Sequence, residues 1–238
     1  MNRTAKVLGF NNDANIYGAA LAQVKQAFRA NFYNEKTQVK TTATQTSYLL
    51  PLAFDLFNGS DIKNAQQHLI TQIEQADNHL RTGFLGTPLL APVLQNMGRS
   101  DLMYDILFKE SYPSWFYSIN NGATTTWERW NSYSIEDGFN PQGMNSLNHY
   151  AYGTISRWFY EGILGIKPIQ AGFKEINIEP QFGDQLTQAS GSYTTPHGIV
   201  SVSWNTQQQQ LTLTVVVPKN TLANIILPKI NKATLTVN

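Results

Sequence analysis

The sequence contains no cysteine, which excludes disulfides and thiolate metal sites and leaves the compartment open. It is also poor in charge: Asp, Glu, Lys and Arg make up 14% of its 238 residues, against about 25% in an ordinary soluble domain. The charge nearly cancels, to a formal +1, and no block of Lys and Arg stands out, so nucleic acid is not an expected partner. No apolar run reaches the ~18 residues of a membrane helix. The opening MNRTAKVLGFNNDAN lacks a signal-peptide core. Neither a membrane partner nor a leader is therefore expected, and the expected location of the chain as given is cytoplasmic. Glycine-rich phosphate loops and serine-nucleophile elbows are absent as well. Asp77, His79 and His68 do not add up to a metal set, because Asp-x-His near a helix end is weak and no third ligand has sensible spacing.

Polarity is carried instead by Asn, Gln, Thr and Ser, which favours a neutral, hydroxylated ligand. These residues are densest, together with Trp and Tyr, in the run 120–153, NNGATTTWERWNSYSIEDGFNPQGMNSLNHYAYG. Trp127-Glu128-Arg129-Trp130 sets a carboxylate beside a cation and between two indoles. Indole faces stack on the C–H faces of sugars, amides and imidazole read sugar hydroxyls, and a carboxylate among them can take a proton from water. Read blandly, Glu128 is an exposed helix carboxylate paired with Arg129 or Lys109, although adjacent helix residues point away from each other. His149, in the word NHYAY, fits either a satisfied histidine at a helix start or a sugar ligand. One of Trp127 and Trp130 is expected to face a pocket and the other the core. Asn121, Thr124 and Thr125 are candidates to line a site, against simple capping duty.

The words GATTTWERW and MNSLNHYAYG resemble the signature of the bacterial α-L-rhamnosidases of glycoside hydrolase family 78. Thr44-Gln45-Thr46, the stretch from Thr82 to Pro88 and Tyr112-Pro113-Ser114-Trp115 fall where that family has similar words. The resemblance implies the C-terminal part of such an enzyme: the second half of an (α/α)6 toroid followed by a β-domain. It implies Glu128 as the general base of an inverting hydrolysis and His149 as a ligand to ring hydroxyls; from the residues themselves, Trp127, Trp130, Asn121 and Thr125 are the further substrate-binding candidates. No cofactor and no metal are implied. The expected ligands are rhamnose-containing glycosides. The expected protein partner is an N-terminal part of the enzyme or a second copy of the chain. Inversion also needs an acid roughly 6.5–9.5 Å from the base, which the resemblance puts upstream of Met1. Within the chain Glu136 and Asp137 are the least implausible substitutes, ahead of Glu110 and Glu161. A sugar-binding but catalytically incomplete chain, and another toroid enzyme such as an epimerase or lyase with a His or Tyr base, remain open alternatives.

The periodicities agree with a mainly helical chain carrying a β-rich end. Residues 1–166 read as part of the helical toroid, and 167–238 as a small antiparallel β-sandwich. Helices are expected at the very start with Gly9 as a stop, over 14–32 with Tyr17, Leu21, Val24 and Phe28 as an apolar stripe, and over 41–57 with a kink at Pro51. Others follow from Asp61, from Thr87-Pro88, from Ser100 and around 125–131. The last is expected to begin at Asn145 or Ser146 and bury Leu147, Ala151, Ile155, Trp158, Phe159 and Ile163 before Gly165. Gln45, Thr46, Phe84, Gly86, Thr87, Tyr112 and Trp115 read as structural residues near a pocket rim. Period-two alternation then marks strands at Ile176/Ile178, Val200/Val202/Trp204 and 211–217, with further strands over 221–227 and 233–237. Unpaired helix faces are expected to leave apolar surface exposed.

Overall fold

The computed structural model describes residues 1–208 and 210–227. The chain divides into two compact units, Met1–Leu89 and Leu90–Asn238.

In the first unit, α1 (Asn2–Val7) stops at Gly9, whose φ of 76° ends the helical path. α2 (Asn11–Phe32) follows, then α3 (Gln45–Ala53) and α4 (Ser60–Glu74). α3 starts later than Thr41 because Thr44 closes a capping box with Ser47. Pro51 has no N–H to offer the Ser47 carbonyl one turn back, and the Tyr33 hydroxyl donates to that carbonyl instead. The proline is therefore tolerated inside the helix. α4 is capped by Gly59 at a φ of 52°, and Asp61 lies in its first turn, where its charge suits the helix dipole. Ala65, Leu69 and Ile73 are fully buried along one face of α4, while Ile62 is exposed. They pack in a core with Leu49, Tyr48 and Phe57. The stripe of α2 is not buried: Tyr17, Leu21 and Val24 are exposed at 37%, 44% and 60%. α5 (Thr87–Asn96) has residues on both sides of the division.

In the second unit, α6 (Ser100–Leu107) buries Leu102, Ile106 and Leu107, with Arg99 rather than Ser100 at its N-cap. The next helix is not the one expected around 125–131. It is α7 (Trp115–Asn120), started by Ser114, whose hydroxyl accepts the Tyr117 N–H at 2.9 Å. Residues 123–129 carry no helix, and two of their N–H and C=O groups pair with the segment 146–149. Three successive threonines, with β-branched side chains that fit extended backbone better than helix, precede Trp127. A hairpin of β1 (Tyr133–Ser134) and β2 (Gly138–Phe139) follows. The last helical stretch starts at neither Asn145 nor Ser146: His149 caps α8 (Tyr150–Gly153), which leads into α9 (Ile155–Trp158) and a π-helical turn, Phe159–Ile163. Ala151, Trp158 and Ile163 are buried, but Leu147 and Phe159 are exposed at 37% and 40%.

The β-rich end holds β3 (Ile166–Pro168), β4 (Glu175–Ile178), β5 (Gln188–Thr195), β6 (Gly198–Gln207), β7 (Gln210–Val216) and β8 (Leu222–Ile225). Two three-stranded sheets form, in the orders β3-β4-β8 and β5-β6-β7. All pairings are antiparallel except β4 with β8, which is parallel. Ile176, Ile178, Val200, Val202 and Trp204 are buried, as their alternation requires. The Trp204 indole donates to the Ile163 carbonyl at 2.8 Å, and the Tyr104 hydroxyl donates to the Gln181 carbonyl at 2.7 Å. These bonds tie the β-rich end to the helices that precede it. The strand expected over 233–237 lies outside the described residues.

Candidate active site

Glu128 sits on one of two extended segments that run side by side. Its N–H donates to the Ser146 carbonyl at 2.9 Å, and the His149 N–H donates to the Thr126 carbonyl at 2.9 Å. Side chains stitch the same seam: Thr126 Oγ1 donates to the His149 carbonyl at 2.7 Å, and Thr125 Oγ1 donates to the Leu147 carbonyl. The two residues singled out for chemistry, Glu128 and His149, thus stand on facing strands of one small frame.

The Glu128 carboxylate is half-buried, and its Oε2 accepts the Ser146 N–H at 2.8 Å. A backbone donor holds one oxygen of the carboxyl group in place, and a carboxylate held in this way can act as a base. Arg129 is not its partner; the guanidinium donates to Gln142 Oε1 at 2.5 Å, as the outward geometry of adjacent residues suggests. His149 caps α8, its Nδ1 accepting the Ala151 N–H at 3.2 Å. In the neutral ring this leaves the proton on Nε2, so that nitrogen can donate to a ligand hydroxyl. The His149 ring also stacks on Tyr150, with centroids 5.4 Å apart.

The two tryptophans separate. Trp127 is buried, edge-on to Tyr133 at 6.1 Å. Trp130 is half-buried, its face stacked on Tyr152 at 3.9 Å and 5°, its edge against Trp115 at 5.4 Å and 89°. The Trp115 indole donates to the Tyr152 carbonyl at 3.0 Å. A void of about 60 Å³ lies among Trp115, Thr125, Thr126, Trp127, Trp130 and Tyr152, large enough for only a few waters. Burial pushes the Tyr152 phenol up to about 12; a backbone hydrogen bond from Trp130 opposes the shift, and the Glu128 charge adds to it. Asn121 ends α7, with Nδ2 donating to the Tyr117 carbonyl at 2.8 Å. Asn121 and Thr125 therefore have bonds that hold backbone. Among the other acids, Glu161 is paired with Arg157 at 2.8 Å, and Glu110, Glu136 and Asp137 are exposed.

Two participants had little sequence signal. Ser146 acts through its backbone N–H, which leaves no trace in residue type. Tyr152 reads as one more aromatic of a helix, and its stacking with Trp130 appears only in three dimensions. In the other unit, the words around Thr46 and Thr82 are structural. Buried Gln45 accepts the Arg81 N–H and donates to the His79 carbonyl, both at 2.9 Å. A Cβ on Gly86 would lie 2.4 Å from Thr46 Oγ1, so only glycine fits there. Among the described residues no group of three or more His, Asp and Glu is placed to hold a metal ion, and no helix is long and apolar enough to cross a membrane.

Helices leading into a β-rich end, with Trp127, Glu128 and Trp130 in the stretch between α7 and α8, fit the class of helical-hairpin glycosidase domains. The chain belongs to the bacterial alpha-L-rhamnosidase family: residues 1–163 match its 6 hairpin glycosidase domain, and residues 165–238 its C-terminal domain. It is 60% identical over 227 residues to an alpha-L-rhamnosidase of Alteromonas sp. (strain LOR), covering 95% of this chain and 25% of the relative. It is 55% identical over 236 residues to one of Formosa agariphila, covering 99% and 26%. The crystal structure of the Streptomyces avermitilis alpha-L-rhamnosidase complexed with L-rhamnose superposes with a TM-score of 0.89 at 40% identity, over 94% of this chain and 22% of that one. The chain spans about a quarter of the length of the curated relatives it matches.

Proposed function

We propose that the protein carrying this chain hydrolyses terminal α-L-rhamnosyl groups from glycosides with inversion. Glu128 takes the proton of the attacking water, and His149 Nε2 donates to a hydroxyl of the sugar. No cofactor enters the reaction. The observation that carries the reading is the frame that brings Glu128 and His149 together, with one carboxylate oxygen held at 2.8 Å by the Ser146 N–H. The relatives' names and the rhamnose complex of the Streptomyces enzyme support rhamnose as the sugar. A base fixed in this way activates water on one face of the ring, and the acid for the leaving oxygen must act from the opposite face.

The test is Glu128→Gln in the complete protein, assayed on an aryl α-L-rhamnoside. Gln keeps the Ser146 contact and removes the base, whose contribution is typically 10²–10⁴-fold, so kcat should fall at least about a hundredfold with binding retained. A kcat within a few-fold of wild type would remove Glu128 from the role. A product of retained anomeric configuration would remove the inverting mechanism.

A further inference from the structure

Glu128 is held from two sides. On one, the seam to Ser146 fixes its N–H and one carboxylate oxygen. On the other, the residues that follow it close a tight turn. The Arg129 N–H donates to Ser132 Oγ and the Ser132 N–H donates to the Arg129 carbonyl, both at 3.1 Å. Ser132 is fully buried, and its carbonyl accepts Asn145 Nδ2 at 3.0 Å. Asn145 precedes Ser146, so turn and seam join in one loop of hydrogen bonds around Glu128.

Trp130, inside that turn, is anchored through its ring. Its face lies on Tyr152 at 3.9 Å and 5°, and Trp115 meets it at 5.4 Å and 89°. The Trp115 indole in turn donates to the Tyr152 carbonyl at 3.0 Å, so the three residues close a ring of contacts. The Tyr152 hydroxyl oxygen also accepts a backbone hydrogen bond from Trp130. Tyr152 therefore holds Trp130 twice, by its face and by its hydroxyl. At 4% exposure it offers a substrate almost nothing to touch.

We propose that Tyr152 is a positioning residue for Glu128: by clamping Trp130, two residues further along the chain, it keeps the carboxylate where it must meet the attacking water. The inference rests on the glycosidase reading above. A turn free to rock would swing Glu128 about its bond to Ser146, and a misplacement of about 1 Å at a reacting group can cost about a hundredfold in rate. A buried flat stack resists that motion, because tilting or sliding the rings gives up their contact.

The test uses the complete protein and an aryl α-L-rhamnoside. Tyr152→Met fills the space without a flat face or a hydroxyl. It should lower kcat about tenfold with KM within about twofold of wild type, because a displaced base is felt in the transition state and not in sugar binding. Tyr152→Phe keeps the stack and loses the bond from Trp130, and should lower kcat only about threefold. Added to Glu128→Gln, Tyr152→Met should cost at most about twofold more, because no base is left to misplace. An unchanged kcat in Tyr152→Met overturns the assignment. So does a loss carried by KM, or the same loss persisting in the Glu128→Gln background. Should Tyr152→Met fail to fold, Tyr152→Phe decides: full kcat, or a loss undiminished beside Glu128→Gln, overturns the clamp. If Glu128→Gln alone leaves kcat within a few-fold of wild type, the glycosidase reading itself falls. If that variant loses its rate and the Tyr152 loss multiplies with it, the positioning role falls alone.

Discussion

Glu128 and Ser146 grip each other through two hydrogen bonds: Ser146 N–H to Glu128 Oε2 at 2.8 Å, and Glu128 N–H to the Ser146 carbonyl at 2.9 Å. Because one of the two bonds is to the side chain, the carboxylate is positioned by the same seam that positions its backbone. Anything that lets the facing strands slide moves the proposed base and the proposed sugar ligand together.

Thr126 is the side chain best placed to stop that slide, since its hydroxyl donates to the carbonyl of His149. Thr126→Val keeps the shape and removes the bond, which should cost about 0.5–1.5 kcal/mol of stability. As a positioning residue it should also lower kcat about tenfold with little change in KM, because a small displacement of a base is felt mainly in the transition state. Thr126→Ser should restore both. Full kcat in Thr126→Val alongside a lowered melting temperature would show a merely structural threonine.

His149 caps α8 through Nδ1, and the proposed reading gives it a second, separable duty, donation from Nε2 to the sugar. His149→Ala removes both, and loss of a cap costs about 0.5–2 kcal/mol. His149→Asn restores a good cap without placing a donor where Nε2 was. The Asn variant should therefore melt near wild type while kcat/KM on rhamnosides falls between about five- and 150-fold, as in the Ala variant. Recovery of activity together with stability in the Asn variant would reduce His149 to a cap.

These two residues also mark what could be read in the sequence. The succession of helices and strands was legible because Ala65, Leu69 and Ile73 repeat at helical spacing and Val200, Val202 and Trp204 at strand spacing, and all six are buried. The candidate site stood out as a dense word, with Glu128 and His149 in it. Its local form was not legible. Two tryptophans and a glutamate in Trp127–Trp130 suggest a helix, but backbone pairing with 146–149 holds that segment extended, and such pairing between residues about twenty apart has no periodic signal. The same pairing delays the last helix to His149. Charge adjacency was a poor guide, as the outward geometry of adjacent residues implies: Arg129 reaches Gln142, and a backbone N–H serves Glu128. The Tyr17–Leu21–Val24 stripe was read correctly as apolar; its exposure is a property of the surface around it, which periodicity does not describe.

Tyr152 carries the last prediction, which concerns pH. The ring is 4% exposed and stacked on Trp130, and burial raises its phenol to about 12, from the ~10 of an unfolded chain. The folded state thus keeps a proton that the unfolded state gives up. Stability from this group is complete below pH ~10 and is lost as the pH rises toward 12, by a limit of about 2–3 kcal/mol for a shift of two units. Tyr152→Phe preserves the stack and cannot ionise. Tyr33 and Tyr104, also raised by burial, remain in the variant and keep part of the alkaline loss. Denaturant unfolding at pH 9 and 11.5 should therefore show a shallower fall for Tyr152→Phe than for wild type, with the two close together at pH 9. Parallel falls in the two proteins would mean that Tyr152 ionises in the folded state as readily as in the unfolded one, and that the Trp130–Tyr152 stack is open to water.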